Sequence, residues 1–185
     1  MLRGYECADR CYFRDDMRRM GFMFERCSQF AREAFGVEIN EIDFLNKFMR
    51  SEIRWDMDQG FPKLFGQSSY DTFCLYVEYE LYGDYSSLVG KSEFEYFAEY
   101  ELWWVGQMYV YAHFETGLPM RVLVENFQLD DMRRFYPAGH QLSFRNAFLR
   151  IRTAISRKKK YVSVWERCGM SQEHGIWLLP EETGN

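Results

Sequence analysis

The sequence predicts a mainly α-helical fold, a single-domain bundle of five to seven helices over residues 1–185. Three observations support this prediction. Apolar residues recur at steps of three and four along most of the chain, which is the period of an amphipathic helix. Residues that cap or end helices, above all Ser, Asn, Gly and Pro, lie between these stretches. The length of 185 residues and the hydrophobic content of 47% fit one domain with its own core.

Two helices are predicted in the first third of the chain. Asp15 or Asp16 can cap the first helix, and Gly36 is a natural stop. The second helix starts at Asn40 and is ended by Gly60 and Pro62, with acidic residues in its first turn. Both carry apolar residues on one side, so each is expected to pack that side against a common core.

The next two predicted helices carry clear capping signals. Ser68 or Ser69 can cap the third helix, which closes at Gly83. Ser92 is followed by a glutamate three positions later, the pattern of a capping box, and begins the fourth helix. This fourth helix is expected to be the longest and to end near Glu115.

Shorter helices are predicted after the proline at position 119. Proline fits the first turn of a helix but lacks the donor that is needed inside one. Short helical pieces are expected at 120–127 and 130–135, followed by a break at 137–139. A last helix opens at Ser143 and has apolar residues on one face and cations away from it.

The two ends of the chain differ from this helical pattern. Residues 1–14 are a mixed leader. From residue 161 the period changes, and β-branched or aromatic runs at 161–165 and 176–179 are bounded by glycines. Residues 161–185 are therefore expected to form a short C-terminal β-hairpin or a loose tail.

The overall charge of the chain is moderately acidic. It has 23 Lys and Arg against 28 Asp and Glu, a formal charge of -5 and a pI near 5.3. This balance argues against a protein that coats nucleic acid or an anionic membrane over its whole surface. No stretch approaches the roughly 20 apolar residues of a membrane helix, and the five cysteines fit no disulfide framework. A cytoplasmic protein with free thiols is expected.

The negative charge is concentrated in one aromatic stretch. Residues 71–101 contain eight acids and one base, a local net of -7, among many tyrosines. Carboxylates can steer a basic partner, and rigid aromatic rings can supply binding area. The alternative is a solvated helical face whose tyrosines cover the core. The predicted partner-binding residues are Glu78, Glu80, Tyr82, Asp84, Tyr85, Glu93, Glu95, Tyr96, Glu99, Tyr100 and Trp103.

A basic segment lies near the end of the last predicted helix. Residues 145–160 contain seven Lys and Arg and no acid. Such a run can bind the phosphates of DNA or guide RNA, or an acidic patch on a partner. The alternative is the favourable placement of cations in the last turn of a helix. The predicted nucleic-acid-binding residues are Arg150, Arg152, Arg157, Lys158, Lys159 and Lys160.

Signatures of cofactor and metal sites are missing from the sequence. Cys7 and Cys11 could present two thiols on one helical face, but no second Cys/His pair has a suitable spacing for zinc. The chain has no Walker loop, no G-x-G-x-x-G, no G-x-S-x-G and no H-E-x-x-H. No cofactor and no metal are therefore expected.

Single residues leave an enzymatic alternative open. Cys74 with His140, or Cys27 with His113, could form a nucleophile pair, but no flanking pattern indicates one. Glu101 falls on the predicted apolar stripe of the fourth helix. If it is buried, it needs a partner such as an arginine, and a structural tie is commoner there than a general acid.

Two stretches resemble a known group of proteins. The first runs over 48–73 and contains SEIRWDMDQGFPKLFGQSS, and the second runs over 101–119 and continues to 135–140. They resemble small, mostly uncharacterised proteins of gut bacteria and their mobile elements. That group includes members beside toxin-like genes and an anti-CRISPR inhibitor of type II-A Cas9. The resemblance covers about residues 40–145.

Taken with the charge distribution, the resemblance implies a non-enzymatic inhibitor that binds a nucleic-acid-handling effector. The implied partner is Cas9 with its guide RNA, and the inhibitor is expected to block DNA recognition or cleavage by Cas9. One alternative is an antitoxin that neutralises a cognate toxin, and another is a small enzyme that uses Cys, His or Glu. Within the stretches, Trp103, Trp104, Gly106 and Tyr109 indicate helix packing.

Overall fold

Eight α-helices form most of the described part of the chain. The computed structural model describes residues 9–60, 64, 66–90 and 99–157. Ser86–Leu88 form a short 3-10 helix, and Ile39 and Val89 form an isolated antiparallel β-bridge. The helices are α1 (Asp9–Phe35), α2 (Glu41–Arg50), α3 (Glu52–Asp58), α4 (Ser69–Glu80), α5 (Glu99–Thr116), α6 (Met120–Asn126), α7 (Leu129–Gly139) and α8 (Phe144–Arg157).

The prediction of a mainly α-helical fold is confirmed for these residues. The periodic apolar positions of the helices are the ones that become buried, as amphipathic packing requires. Within the described ranges, no helix combines the length and the apolar character that crossing a membrane demands. The predicted hairpin or tail at 161–185 lies outside the described residues.

Helices α1 and α5 pack against each other at the centre of the fold. Phe13 in the first half of α1 stacks on Phe114 near the end of α5, with ring centroids 4.2 Å apart. Further along α1, Gly21 lies against the indole of Trp103 near the start of α5. The two helices therefore run antiparallel. A Cβ on Gly106 would lie 2.6 Å from the carbonyl oxygen of Met20, so the missing side chain permits the close approach.

Aromatic rings fill the space between α1, α2 and α4. The ring of Phe44 lies 5.1 Å from that of Phe73 and meets Tyr76 edge-on at 5.6 Å. Phe30 reaches Phe73 from α1 at 5.8 Å, and Phe48 meets Tyr76 edge-on at 5.4 Å. Aromatic pairs in these geometries stabilise a core beyond the area they bury. Many of the aromatic residues in the chain therefore serve the core.

Helices α7 and α8 cover a neighbouring side of α5. Trp104 meets Tyr136 of α7 edge-on, with ring centroids 5.7 Å apart. Gly139 leaves room for the Trp104 indole, because a Cβ at position 139 would lie only 2.8 Å from it. Tyr111 of α5 meets Phe148 of α8 at 5.9 Å. The packing role that the resemblance assigned to this part of α5 agrees with these contacts.

The first two predicted helices differ from the observed ones. Helix α1 begins at Asp9, so part of the predicted leader is helical, and Asp16 is a buried residue inside α1 and not a cap. The second predicted helix is interrupted at Ser51, whose ψ of 158° ends α2 and whose side chain caps α3. This interruption raises the number of helices to eight in the described part, above the five to seven predicted.

The remaining helix boundaries follow the capping signals more closely. Ser68 caps α4 in a reciprocal capping box with Asp71, and α8 begins directly after Ser143. The break predicted at 137–139 is wrong, because α7 continues through Pro137 and the N–H of His140 still donates to Tyr136 at 3.0 Å. The predicted start of the fourth helix at Ser92 lies outside the described residues.

Candidate functional site

A tight turn follows the end of α4. The N–H of Asp84 donates to the carbonyl of Leu81 at 2.8 Å and closes the turn. Its two central residues, Tyr82 and Gly83, have positive φ angles of 53° and 75°. Glycine adopts this left-handed backbone at no steric cost, but a tyrosine there is an uncommon and strained residue.

Four side chains at this end of α4 are exposed. Tyr82 is 91% exposed and Tyr79 is 64% exposed, and Glu78 and Asp84 are exposed as well. We call Glu78, Tyr79, Tyr82 and Asp84 the α4-end surface. Tyr79 was not among the predicted partner-binding residues; it lies three positions after the buried Tyr76, so helical spacing alone does not predict its exposure.

The α4-end surface is electrostatically negative. The last turn of α4 has no basic residue, and the free carbonyl groups of a helix C-terminus add partial negative charge. Hydrogen bonds from Ser86 lower the pKa of Asp84, and the backbone N–H of Ser86 donates to the carboxylate at 2.9 Å. Acidic side chains at this end of a helix are unfavourable for the helix itself. A cation from outside the chain would relieve that repulsion.

Three predicted members of the partner surface are engaged in the fold instead. Glu80 accepts a hydrogen bond from the backbone N–H of Ile53 at 2.7 Å. The ring of Tyr85 stacks on Phe35 at 4.7 Å, and Trp103 packs against α1. Their first role is thus to hold helices together.

The other predicted members lie in or before α5. Tyr100 is 71% exposed in the first turn of that helix. Glu99 begins the helix, but its side chain lies outside the described part, as do Glu93, Glu95 and Tyr96. Of the predicted partner-binding residues whose side chains the structure describes, Glu78, Tyr82, Asp84 and Tyr100 are exposed.

The predicted basic segment is described only in part. Arg145 and Arg150 are exposed on α8, whereas Arg152 is half-buried. Arg157 ends α8 with its side chain outside the described residues, and 158–160 lie outside them altogether. Helix α8 therefore presents two exposed arginines beside its buried apolar stripe.

A buried cluster of charges lies between α1, α3 and α6. Arg54 is fully buried, and its guanidinium donates to Asp16 at 3.2 and 3.0 Å and to Asp58 at 3.0 and 2.6 Å. Asp16 also accepts from Arg19 at 2.9 Å. The N–H of Met120 donates to Asp58 at 2.7 Å. Two cations and two anions balance here, so the cluster has the features of a structural tie.

His113 borders this cluster from α5. Its Nδ1 lies 2.7 Å from the carbonyl oxygen of Leu118 and must donate to it, and its Nε2 lies 3.9 Å from Asp58. The grouping of Asp16, Arg54 and Asp58 was not predicted from the sequence. The spacing of four between Arg54 and Asp58 could have indicated one ion pair, but nothing local indicates the third partner.

The surroundings of Cys27, Cys74 and His140 are typical of structural residues. Burial raises the pKa of the Cys27 thiol well above its usual range, and the charge of Glu41 adds to this effect. Burial also raises the pKa of Cys74. A raised pKa disfavours the thiolate that a nucleophile needs. His140 lies with its Nδ1 2.7 Å from the carbonyl oxygen of Tyr136 in its own helix.

Glu101 is paired with an arginine. The Nε of Arg133 in α7 donates to its carboxylate at 2.6 Å, and both side chains are largely buried. The structural tie that sequence analysis favoured for Glu101 is thus present. The pair joins α5 to α7.

An open cleft lies between α2 and the start of α7. Its volume is about 300 Å³, and it is lined by Ile42, Asn46, Arg50, Gln128, Leu129 and Asp130. Arg50 donates to the carbonyl of Asn46 at 2.8 Å, and Asp130 lies 3.5 Å from Arg133. The charged groups of the cleft are therefore already engaged within their own helices.

Metal binding has little support in the described residues. They contain no group of three or more His, Cys, Asp or Glu placed to hold a metal ion. Cys7 of the predicted thiol pair lies outside the described residues. The zinc alternative thus stays untested.

Comparison with known proteins identifies no relative. No family model matches the chain, and neither a curated protein nor a solved structure matches it. The α4-end surface, which carries the highly exposed Tyr82 and Tyr79, is the candidate functional surface of the described residues.

Proposed function

We propose that this protein is a non-enzymatic inhibitor that binds a nucleic-acid-handling effector in the cytoplasm. Cas9 with its guide RNA is the effector that the sequence resemblance implies. The inhibitor would occupy a basic groove of the effector and block DNA recognition or cleavage. The exposure of Tyr82 between the exposed acidic residues Glu78 and Asp84 in the sequence is the observation on which this proposal rests.

The chemistry of the α4-end surface fits such a groove. Effectors of this kind bind DNA through arginine-lined channels, where Cas9 reads its short recognition motif with arginines. Carboxylates on an inhibitor raise the rate of encounter with a positive groove, and tyrosine supplies rigid binding area at low entropic cost. An acidic aromatic surface can therefore compete with DNA for the same cations.

The exposed arginines of α8 support a second, local contact. Arg145 and Arg150 carry positive charge on a face that is distinct from the buried stripe of Ala147 and Ile151. Guide RNA in an effector complex offers phosphates that such residues can bind. In this proposal α8 binds RNA weakly, while the α4-end surface binds protein.

A direct binding experiment tests the proposal. The full chain is mixed with guide-loaded Cas9 at moderate salt, and the complex is measured by size-exclusion chromatography with light scattering. We expect a complex of fixed stoichiometry and a loss of DNA cleavage as the chain is titrated. The absence of a complex would contradict the proposal.

The same assay separates inhibition by binding from inhibition by an enzyme. Cys74→Ala, His140→Ala and Glu101→Gln are each expected to leave inhibition unchanged once folding is verified by circular dichroism. Guide RNA incubated with the chain is expected to stay intact on a denaturing gel. Cleaved guide RNA, or a variant that folds but no longer inhibits, would favour the enzymatic alternative.

A further inference from the structure

We infer that Tyr82 is the anchor of the α4-end surface and that it binds arginine side chains of a protein partner. This inference rests on the proposed function, because it names the chemistry by which the same surface would recognise its partner. It goes further in choosing one residue, one kind of contact and one class of occupant.

Tyr82 combines high exposure with an unfavourable backbone conformation. The residue is 91% exposed, so its ring is hardly covered by the described residues. Its φ of 53° is a backbone conformation in which glycine costs least. A bulky side chain in that position is a disadvantage for folding, and strained residues of this kind cluster at binding sites. The ring of Tyr82 is therefore expected to contact another molecule.

The surroundings of Tyr82 are negatively charged. Glu78 and Asp84 are exposed on either side of Tyr82 in the sequence, and the end of α4 adds partial negative charge. This field attracts cations and repels phosphates. A basic protein surface is thus favoured over nucleic acid as the occupant.

The α4-end surface is expected to bind arginine more tightly than lysine. A guanidinium can stack on an aromatic ring and at the same time donate two parallel hydrogen bonds to a carboxylate. A lysine ammonium provides charge but not this planar geometry. The chain already contains such a stacked pair, since the guanidinium of Arg121 lies 3.7 Å from the ring centroid of Trp55. Tyr82 offers an exposed ring for stacking, and Glu78 and Asp84, close to it in the sequence, offer exposed carboxylates.

A peptide probe tests the inference without requiring any particular effector. Fluorescein-labelled peptides of nine arginines or nine lysines are titrated with the full chain, and binding is followed by fluorescence anisotropy at moderate salt. We expect tighter binding of the arginine peptide. Tyr82→Gly is expected to weaken it about fivefold, as for the loss of one exposed cation–π contact, and to change lysine binding much less.

Two matched variants serve as controls. Tyr82→Phe keeps the ring and is expected to retain arginine binding. Glu125→Gln removes an exposed charge from α6, away from the α4-end surface in the sequence, and is expected to change binding less than twofold. Because glycine suits the backbone at position 82, Tyr82→Gly is expected to fold, which circular dichroism would verify.

The outcomes separate this inference from the proposed function. Equal arginine-peptide affinity for wild type and Tyr82→Gly, or no binding by wild type, would overturn the inference even if the chain inhibits Cas9. Binding of the arginine peptide through Tyr82 without binding of Cas9 would support the inference and contradict the proposed effector. Stronger binding of the lysine peptide would also overturn it.

Discussion

Arg54 and Asp16 join α3 to α1 by two buried hydrogen bonds between a guanidinium and a carboxylate. The Nη1–Oδ1 and Nη2–Oδ2 distances are 3.2 and 3.0 Å. The same guanidinium donates to Asp58, which accepts the N–H of Met120 at the start of α6. One arginine therefore connects three helices, and the cost of its burial is offset by two carboxylates.

Removal of the Arg54 charge is expected to destabilise the protein strongly. Arg54→Met would leave Asp16 and Asp58 buried with less compensation, and the expected loss of unfolding free energy is about 3–5 kcal/mol. Urea unfolding at neutral pH measures it. Arg134→Met serves as the control, because the side chain of Arg134 is 79% exposed; its effect should stay within about 0.5 kcal/mol. A loss below about 1 kcal/mol for Arg54→Met would contradict this account of the cluster.

Acid is expected to weaken the same cluster. Burial alone would raise the pKa of Asp16, but the charges and hydrogen bonds of Arg54 and Arg19 lower it from 3.8 to about 2. Because the folded-state pKa is depressed, the contribution of ionised Asp16 is complete above pH 3.8 and is lost as the pH falls through 2. That contribution is roughly 2 kcal/mol.

The variant Asp16→Asn isolates this contribution from the other carboxylates. Unfolding free energies of wild type and variant are compared at several pH values between 5 and 2. The difference between them should shrink as the pH falls, since wild-type Asp16 becomes protonated. A difference that stays constant over this range would show that Asp16 does not titrate as described.

A methyl group at position 106 is expected to separate the two central helices. The Cβ of Gly106→Ala would lie 2.6 Å from the carbonyl oxygen of Met20, and a backbone atom cannot move aside as a flexible side chain can. We expect a loss of about 1–3 kcal/mol in thermal or urea unfolding, despite the better helix propensity of alanine. Gly90→Ala is the control, because its Cβ would meet its nearest neighbour at an ordinary 3.5 Å. Equal stability of the two variants would contradict the close packing of α1 on α5.

The turn after α4 is expected to be more stable with glycine at position 82. Tyr82→Gly and Tyr82→Ala both remove the ring, but only glycine relieves the strain of the positive φ angle. Tyr82→Gly should therefore exceed Tyr82→Ala in unfolding free energy by about 1 kcal/mol. A higher unfolding free energy for Tyr82→Ala than for Tyr82→Gly would contradict the left-handed backbone conformation at position 82.

Local patterns in the sequence predict most of the helices. Ser68 and Asp71 form the capping box that starts α4, and Gly36 and Gly83 have the positive φ angles that suit a stop. These signals act within a few residues of each other, so a single sequence can carry them. The fold class follows from them directly.

Two helix boundaries could not be predicted from the same patterns. Phe48, Met49 and Ile53 fit one continuous apolar period, which hides the interruption that Ser51 introduces between α2 and α3. Pro137 lies inside α7, where proline removes a backbone donor and crowds the carbonyl of Arg133, so the local pattern indicates a break that the structure does not have. Tertiary packing decides both cases.

The candidate site was predictable only in part. An acidic aromatic surface was expected, and Tyr82 and Asp84 belong to it, but Glu80 and Tyr85 are held by contacts to α3 and α1. The buried cluster depends on the meeting of Asp16 with Arg54, which are 38 residues apart. Helical periodicity carries no information on such long-range pairs.

The most direct test of the central claim is a DNA-cleavage titration of guide-loaded Cas9 with a charge-reversed α4-end surface. Wild type should suppress cleavage, and the double variant Glu78→Lys/Asp84→Lys should need at least about tenfold more protein for the same effect. The control Glu38→Lys/Glu125→Lys has the same net charge, reverses exposed acids elsewhere and should inhibit like wild type. Equal inhibition by both double variants, or no inhibition by wild type, would contradict the claim that this surface binds a basic groove of an effector.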